Sequence, residues 1–164
     1  MSSAASASFF LKYKAHRRNI IVMERQFPDL KHADITGRAI DVFYQVYHDL
    51  GYGFLERVYA NAIALASRAA GLEIVQEKQL HVMYRGAVIG QYQVDLLVNE
   101  AVIVELKACQ ALAAEHEAQL LNYLKASPYE VGLLFNFGPK PQHKRIVYDN
   151  ARKGSLIWLR KEGH

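Results

Sequence analysis

The sequence predicts an α/β fold in which helices pack on a mixed sheet. Two observations carry this. Apolar periodicity passes from helical to strand-like and back along the chain, in the order α-α-β-β-β-α-β. Two of the strand-like stretches, residues 101–107 and 129–137, are almost continuously apolar, as strands covered on both faces are. A length of 164 residues suits one such domain with a short appendage.

The elements follow in order. Over residues 33–50, Ile35, Ala39, Val42, Phe43, Val46 and Tyr47 recur at steps of three and four, the spacing of one helix face. Gly51-Tyr52-Gly53 interrupts that pattern. A second helix is expected over 54–70 (Leu55, Val58, Tyr59, Ala62, Ile63, Ala66), and Gly71 supplies a C-terminal stop. Residues 73–84 read as a strand ending in the Arg85-Gly86 turn, and 88–98 as an alternating strand broken by Asn99-Glu100. Residues 101–107 form a third strand. Residues 111–126 are helical again until Ser127-Pro128, and 129–137 form a buried strand. Gly138 to Pro141 is a loop, and 144–148 and 155–159 read as short edge strands. No repeat or linker divides the chain.

Half of the residues (51%) are apolar, which excludes a disordered chain, and no apolar run approaches the roughly 18 residues that span a bilayer. No membrane partner is therefore expected. The lone Cys109 cannot form an internal disulfide, which fits a reducing, cytoplasmic setting.

The net charge of +4 is unevenly spread. Residues 26–137 hold thirteen acids and eight bases, whereas Lys12, Lys14, Arg17 and Arg18 stand in a first segment with no acid before Glu24. That segment is small, Ser-rich and basic, the composition of a transit peptide. Residues 1–22 are read instead as a disordered or artefactual extension ahead of a start at Met23, leaving 23–164 as one domain. Without those residues the net charge falls to zero, so the overall basicity does not itself point to nucleic acid.

An acidic pair does. On strict alternation, Val88, Gly90, Tyr92, Val94, Leu96 and Val98 share one face of their strand, and Asp95 lies on the other with Gln91 and Gln93. In the next strand Glu105 and Lys107 point the same way out of a segment otherwise fit for a core, where charges need partners. A two-residue turn at Asn99-Glu100 would set Asp95 opposite Val104. A three-residue loop or one bulge would set it opposite Glu105, at about 5 Å between Cβ atoms. The bulged register is the one expected. Two carboxylates so placed make a hard-oxygen site suited to Mg2+ or Mn2+.

Asp95 followed by Glu105-Leu106-Lys107 resembles the D…(D/E)xK signature of the restriction-endonuclease-like, PD-(D/E)XK nuclease superfamily. Gln119 and Tyr123 resemble the QxxxY helix motif of its RecB-like branch. Gly53-Phe54-Leu55-Glu56-Arg57-Val58-Tyr59 is similar to the motif that names the GxxExxY family, and the resemblance extends over about residues 30–150. It implies a three-layer α/β/α core with a mixed, mainly four-stranded sheet and helices on both faces. It further implies catalytic roles for Glu56, Asp95, Glu105, Lys107, Gln119 and Tyr123. Asp95, Glu105 and the Leu106 main-chain carbonyl would bind Mg2+ or Mn2+, with Glu56 reaching the metal directly or through water. Lys107 would orient or help deprotonate the attacking water, and Gln119 with Tyr123 would hold the lysine or the scissile phosphate.

The implied activity is metal-dependent hydrolysis of phosphodiester bonds in nucleic acid, DNA ahead of RNA, with a homodimer if two strands are cut. The alternatives are a non-catalytic module binding nucleic acid or protein, and a nucleotide phosphohydrolase. Lys140, Lys144 and Arg145 follow the last buried strand and would form a phosphate-contacting rim. His116 reads as an exposed or satisfied histidine rather than a ligand, Cys109 as a small buried residue, and Gly53 and Tyr59 as structural.

Overall fold

A computed structural model describes residues 30–154; the expected extension over 1–22, the start at Met23 and the strand over 155–159 lie outside the described residues. Two helices, α1 (Ala33–Leu50) and α2 (Glu56–Ala69), precede strands β1 (Ile74–Tyr84), β2 (Ala87–Val98) and β3 (Val102–Lys107). Helix α3 (Ala114–Lys125) then leads to β4 (Val131–Phe137) and β5 (Pro141–Val147), followed by a single 3-10 turn, Asn150–Arg152. The strands lie side by side in chain order, β1-β2-β3-β4-β5. Only β3 and β4 are parallel, and α3 makes the crossover that a parallel pair requires.

The sheet has five strands, the four main ones expected over 73–137 and an edge strand beside β4. The fifth begins at Pro141 rather than Lys144 and pairs along the whole of β4. A proline is tolerated there because it opens an edge strand.

Each helix face chooses its side of the sheet. Ala39, Val42, Phe43 and Val46 of α1, with Tyr59 and Ile63 of α2, pack on Leu96, Val98, Val102, Val104, Leu106, Leu133 and Phe135. Leu120, Tyr123 and Leu124 of α3 cover the opposite face, on Leu80, Val94, Leu97, Ile103 and Leu134. Three layers result, with every residue of β4 buried.

Aromatic rings join α1 and α2 to the sheet. Phe43 stacks on Phe135 at 4.5 Å, and Tyr59 stacks on Phe137 at 4.0 Å. The Tyr59 ring is fully buried, and its hydroxyl donates to Gly51 O (2.8 Å) and accepts from Phe54 N (3.2 Å). Gly51 and Gly53 have φ of +67° and +113°, which glycine adopts without a Cβ clash. Tyr59 therefore pins the α1–α2 loop from beneath.

Candidate active site

The register between β2 and β3 is set by their loop. Asn99 and Glu100 both take left-handed φ, 48° and 49°, and Ala101 N donates to Val98 O at 3.0 Å. The strands nevertheless pair Val98 with Val102, so Ala101 is one residue extra. This shifts the register by one and makes the loop three residues long. The ladder continues to Leu96↔Val104 and ends there, leaving Asp95 and Glu105 as the first residues beyond it on their two strands.

Pairing stops there because β2 turns over. Val94 packs with Leu97 and Ile103 on the α3 side, whereas Leu96 packs on the α1–α2 side. The strict alternation read from sequence, with Val94 and Leu96 on one face, therefore does not hold. Across from Asp95, between the pairs Gln76↔Leu96 and Lys78↔Val94, stands Glu77 at φ 53°. A left-handed residue at that point twists the hairpin and carries β2 away from β3. The last residues of β3 keep only β4 as partner, and Leu106 N donates instead to Asp95 Oδ2 at 2.7 Å.

Glu105 is 4% exposed, and its Oε1 accepts from Lys107 Nζ at 2.9 Å. Its other oxygen, Oε2, is buried and accepts nothing. Burial, and then the charge of Asp95, push Glu105 up to about 7, with Lys107 opposing. Burial also raises Asp95, against the Leu106 N–H and Lys107. For Lys107 burial works toward neutrality, but its bond to Glu105 and the surrounding carboxylates outweigh it, so its pKa is raised. Glu105 feels the charges of both Asp95 and Glu56. Buried Glu105 and half-buried Asp95 thus share the one ammonium of Lys107.

An orphaned buried oxygen beside a second carboxylate fits a hard dication. Among the described residues no group of three or more His, Cys, Asp or Glu side chains is placed to hold a metal. Further donors would therefore be the main chain and water. Glu56, the first residue of α2, accepts from Ala108 N at 3.3 Å and so reaches the end of β3. It lines, with Asp95, a cleft of about 460 Å3 whose other walls include Arg57, Asn61, Gln76 and Gln93.

Helix α3 closes the other side. Gln119 Nε2 donates to Tyr123 OH at 2.6 Å, as residues one turn apart can. Burial raises the Tyr123 hydroxyl pKa, and the charges of Glu105, Lys107 and Asp95 all reach it. The structure thus brings Glu56, Asp95, Glu105, Lys107, Gln119 and Tyr123 around the open end of β3.

It does not gather the basic residues into one rim. Lys144 pairs with Glu117 of α3. Arg145, next along the strand, is directed with His143 to the α1 side, where His143 meets Tyr44 at 2.9 Å. Lys140 is exposed in the β4–β5 loop. His116 accepts from Ala113 N (3.1 Å) and so caps α3.

Sequence reasoning missed Asn136. Fully buried in β4, it accepts from Cys109 N (3.0 Å) and donates to Cys109 O (3.0 Å) and Gln142 Oε1 (3.3 Å). Gln142 Oε1 in turn accepts from Leu112 N at 3.0 Å. These bonds hold residues 108–113 as a loop, which is why α3 begins at Ala114 and not at 111. A Cβ on Gly138 would fall 2.2 Å from Cys109 O, so the same loop also needs that glycine. The available signal was a lone polar residue inside the apolar run Val131–Phe137.

The sequence pattern of the PD-(D/E)XK nuclease superfamily matches residues 33–146. No curated protein matches the chain. Among solved structures, the crystal structure of SSO0001 is similar, at 14% identity over 88% of this chain and 71% of that one, with a TM-score of 0.44. An alkaline exonuclease (LHK-Exo) from Laribacter hongkongensis is similar at 12% identity over 77% of this chain and 76% of that one, also with a TM-score of 0.44. No helix among the described residues is long and apolar enough to cross a membrane.

Proposed function

The chain belongs to the PD-(D/E)XK nuclease superfamily, whose members generally use divalent metal ions, and on that premise we propose that it is a Mg2+- or Mn2+-dependent phosphodiesterase cleaving nucleic acid, DNA ahead of RNA. The Gly53, Glu56 and Tyr59 spacing supports a place in the GxxExxY branch. The observation that carries the reading is Asp95 bonded to Leu106 N at 2.7 Å beside Glu105, with Lys107 at 2.9 Å from Glu105 and the Glu105 Oε2 buried without a donor.

Asp95, Glu105 and the Leu106 carbonyl would hold the metal, with Glu56 reaching it directly or through water, and the ion would supply Lewis acidity there. Lys107 orients the attacking water and neutralises charge developing on the phosphate. Gln119 fixes the Tyr123 hydroxyl toward the phosphate, which needs positioning more than covalent chemistry.

Cleavage of labelled single- and double-stranded oligonucleotides in Mg2+ or Mn2+ tests this. Asp95→Ala and Lys107→Ala should each lower the rate by about 10²-fold or more in samples whose circular dichroism shows them folded at the assay temperature. Metal-dependent cleavage that survives both substitutions overturns the assignment. Calorimetry showing no Mn2+ uptake by the wild type would favour a binding module on the same fold.

A further inference from the structure

Large apolar side chains stand exposed in the loop that leads into Glu56, a residue of the cleft. Tyr52 is 61% exposed, Phe54 48% and Leu55 79%, immediately before Glu56. At about 3.8 Å between consecutive Cα atoms, all three lie within about 15 Å of the Glu56 backbone. They are held out. Gly51 and Gly53 turn the loop through left-handed backbone, and the buried Tyr59 hydroxyl bonds to Gly51 O and Phe54 N. On the other side of the carboxylates, Tyr92 is 37% exposed, and its ring lies 5.2 Å from Tyr123.

The cleft that Glu56 and Asp95 line is poorly built for a phosphate track. Its lining pairs one cation, Arg57, with Glu56, Glu77 and Asp95, and the remaining polar groups are the amides of Asn61, Gln76 and Gln93. These amides are paired with amides, Gln76 Nε2 donating to Asn61 Oδ1 (3.0 Å) and Gln79 Nε2 to Gln93 Oε1 (2.8 Å), and none adds a cation for a phosphate. Duplex binding rests largely on cations spaced along the backbone. Here Lys144 is engaged with Glu117, and Arg145 lies on the opposite face of β5.

Resting on the phosphodiesterase reading, we infer that the substrate is single-stranded nucleic acid held by its bases. Bases on one side of the scissile phosphate stack on Tyr52 and Phe54, and those on the other side stack on Tyr92. Stacking is indifferent to sequence, so the site recognises unpaired bases rather than a motif.

The test measures binding to the full chain carrying Lys107→Ala, in Ca2+, by fluorescence anisotropy. Its probes are an oligo(dA), an abasic oligomer of equal length and a blunt duplex. Oligo(dA) should bind at least about tenfold more tightly than the other two. The Tyr52→Ala/Phe54→Ala double substitution should remove about that factor for oligo(dA) while leaving the abasic probe and the thermal midpoint unchanged. Tyr52→Phe should retain binding. Abasic and oligo(dA) probes binding equally, or a double variant binding as before, overturns the inference. So does a double variant that merely shifts from dimer to monomer, because the lip is then a contact between copies. Base-dependent binding by a wild type that cleaves nothing in Mn2+ would overturn the phosphodiesterase reading and leave this one standing.

Discussion

The two halves of the sheet are built on opposite terms. In the β3–β4 half every residue of β4 is buried, as is all of β3 except Lys107. In the outer half, the hairpin from Gln76 to Gln93 buries only Leu80. The candidate site lies at the seam between them. A fully paired strand has no backbone group to spare, and an exposed hairpin cannot shift the pKa of a carboxylate by burial. Where β2 departs, Leu106 N becomes available to Asp95 while Glu105 is still enclosed. The seam therefore combines open hydrogen-bonding groups with a low-dielectric surround, and neither half offers both.

The widest contrast is in stability. Phe135→Ala removes a fully buried ring stacked on Phe43 and should cost about 3–5 kcal/mol in urea unfolding. Tyr84→Ala, at the exposed tip of the hairpin, should stay within about 0.5 kcal/mol. Equal losses at the two positions would dissolve the distinction between the halves.

The seam itself should show in pH dependence. Glu105 titrates at about 7 in the fold against 4.5 when unburied, so between those values the native state holds a proton that the unfolded chain has released. Its contribution therefore destabilises progressively as pH rises from 4.5 through about 7, and is absent below that window. Glu105→Gln abolishes this penalty. The metal-free variant should gain up to about 3 kcal/mol over wild type above pH 7 and almost nothing at pH 4.5. Thermal melts across the pH range measure it, and a difference that stays flat or shrinks with pH contradicts the burial argument. Saturating Mn2+ should narrow the gap by stabilising only the wild type.

Much of this was legible in the chain. The continuous apolar runs marked β3 and β4, and the helical steps marked α1 and α2, because burial on one or both faces leaves a direct periodic trace. The three-layer arrangement came with the family resemblance. The reversal of β2 at Asp95 left no trace, since it depends on a left-handed Glu77 on the neighbouring strand, and no propensity marks glutamate for that conformation. Lys144 and Arg145 are a different case. Treating them as one rim followed their adjacency in sequence, yet adjacent residues on a strand point apart.

Asn136 marks the inner edge of the seam. Asn136→Ala leaves Cys109 N without its acceptor and should cost about 1–3 kcal/mol. It should also slow cleavage, because the loop that follows Lys107 loses its clamp, and Asn136→Asp should not rescue it, since a buried carboxylate oxygen would face Cys109 O and Gln142 Oε1. Chemical unfolding and kinetics on the same samples check both. Full activity in Asn136→Ala would mean that the loop holds its shape through Gln142 and Gly138 alone.

The smallest effect is expected farthest from the seam. The side chains of Lys144 and Glu117 are 49% and 38% exposed, so water screens their attraction. A double-mutant cycle with Lys144→Ala and Glu117→Ala should give a coupling below about 1 kcal/mol. Binding sharpens the point. A lysine that holds a phosphate contributes about one unit to the salt dependence of affinity, which its removal abolishes. Lys144 is drawn toward α3 by Glu117, so Lys144→Ala should leave the salt slope for oligo(dA) unchanged. A drop of about one unit would carry the nucleic acid past α3 to the β5 edge, and the hairpin would no longer be the wall that holds it.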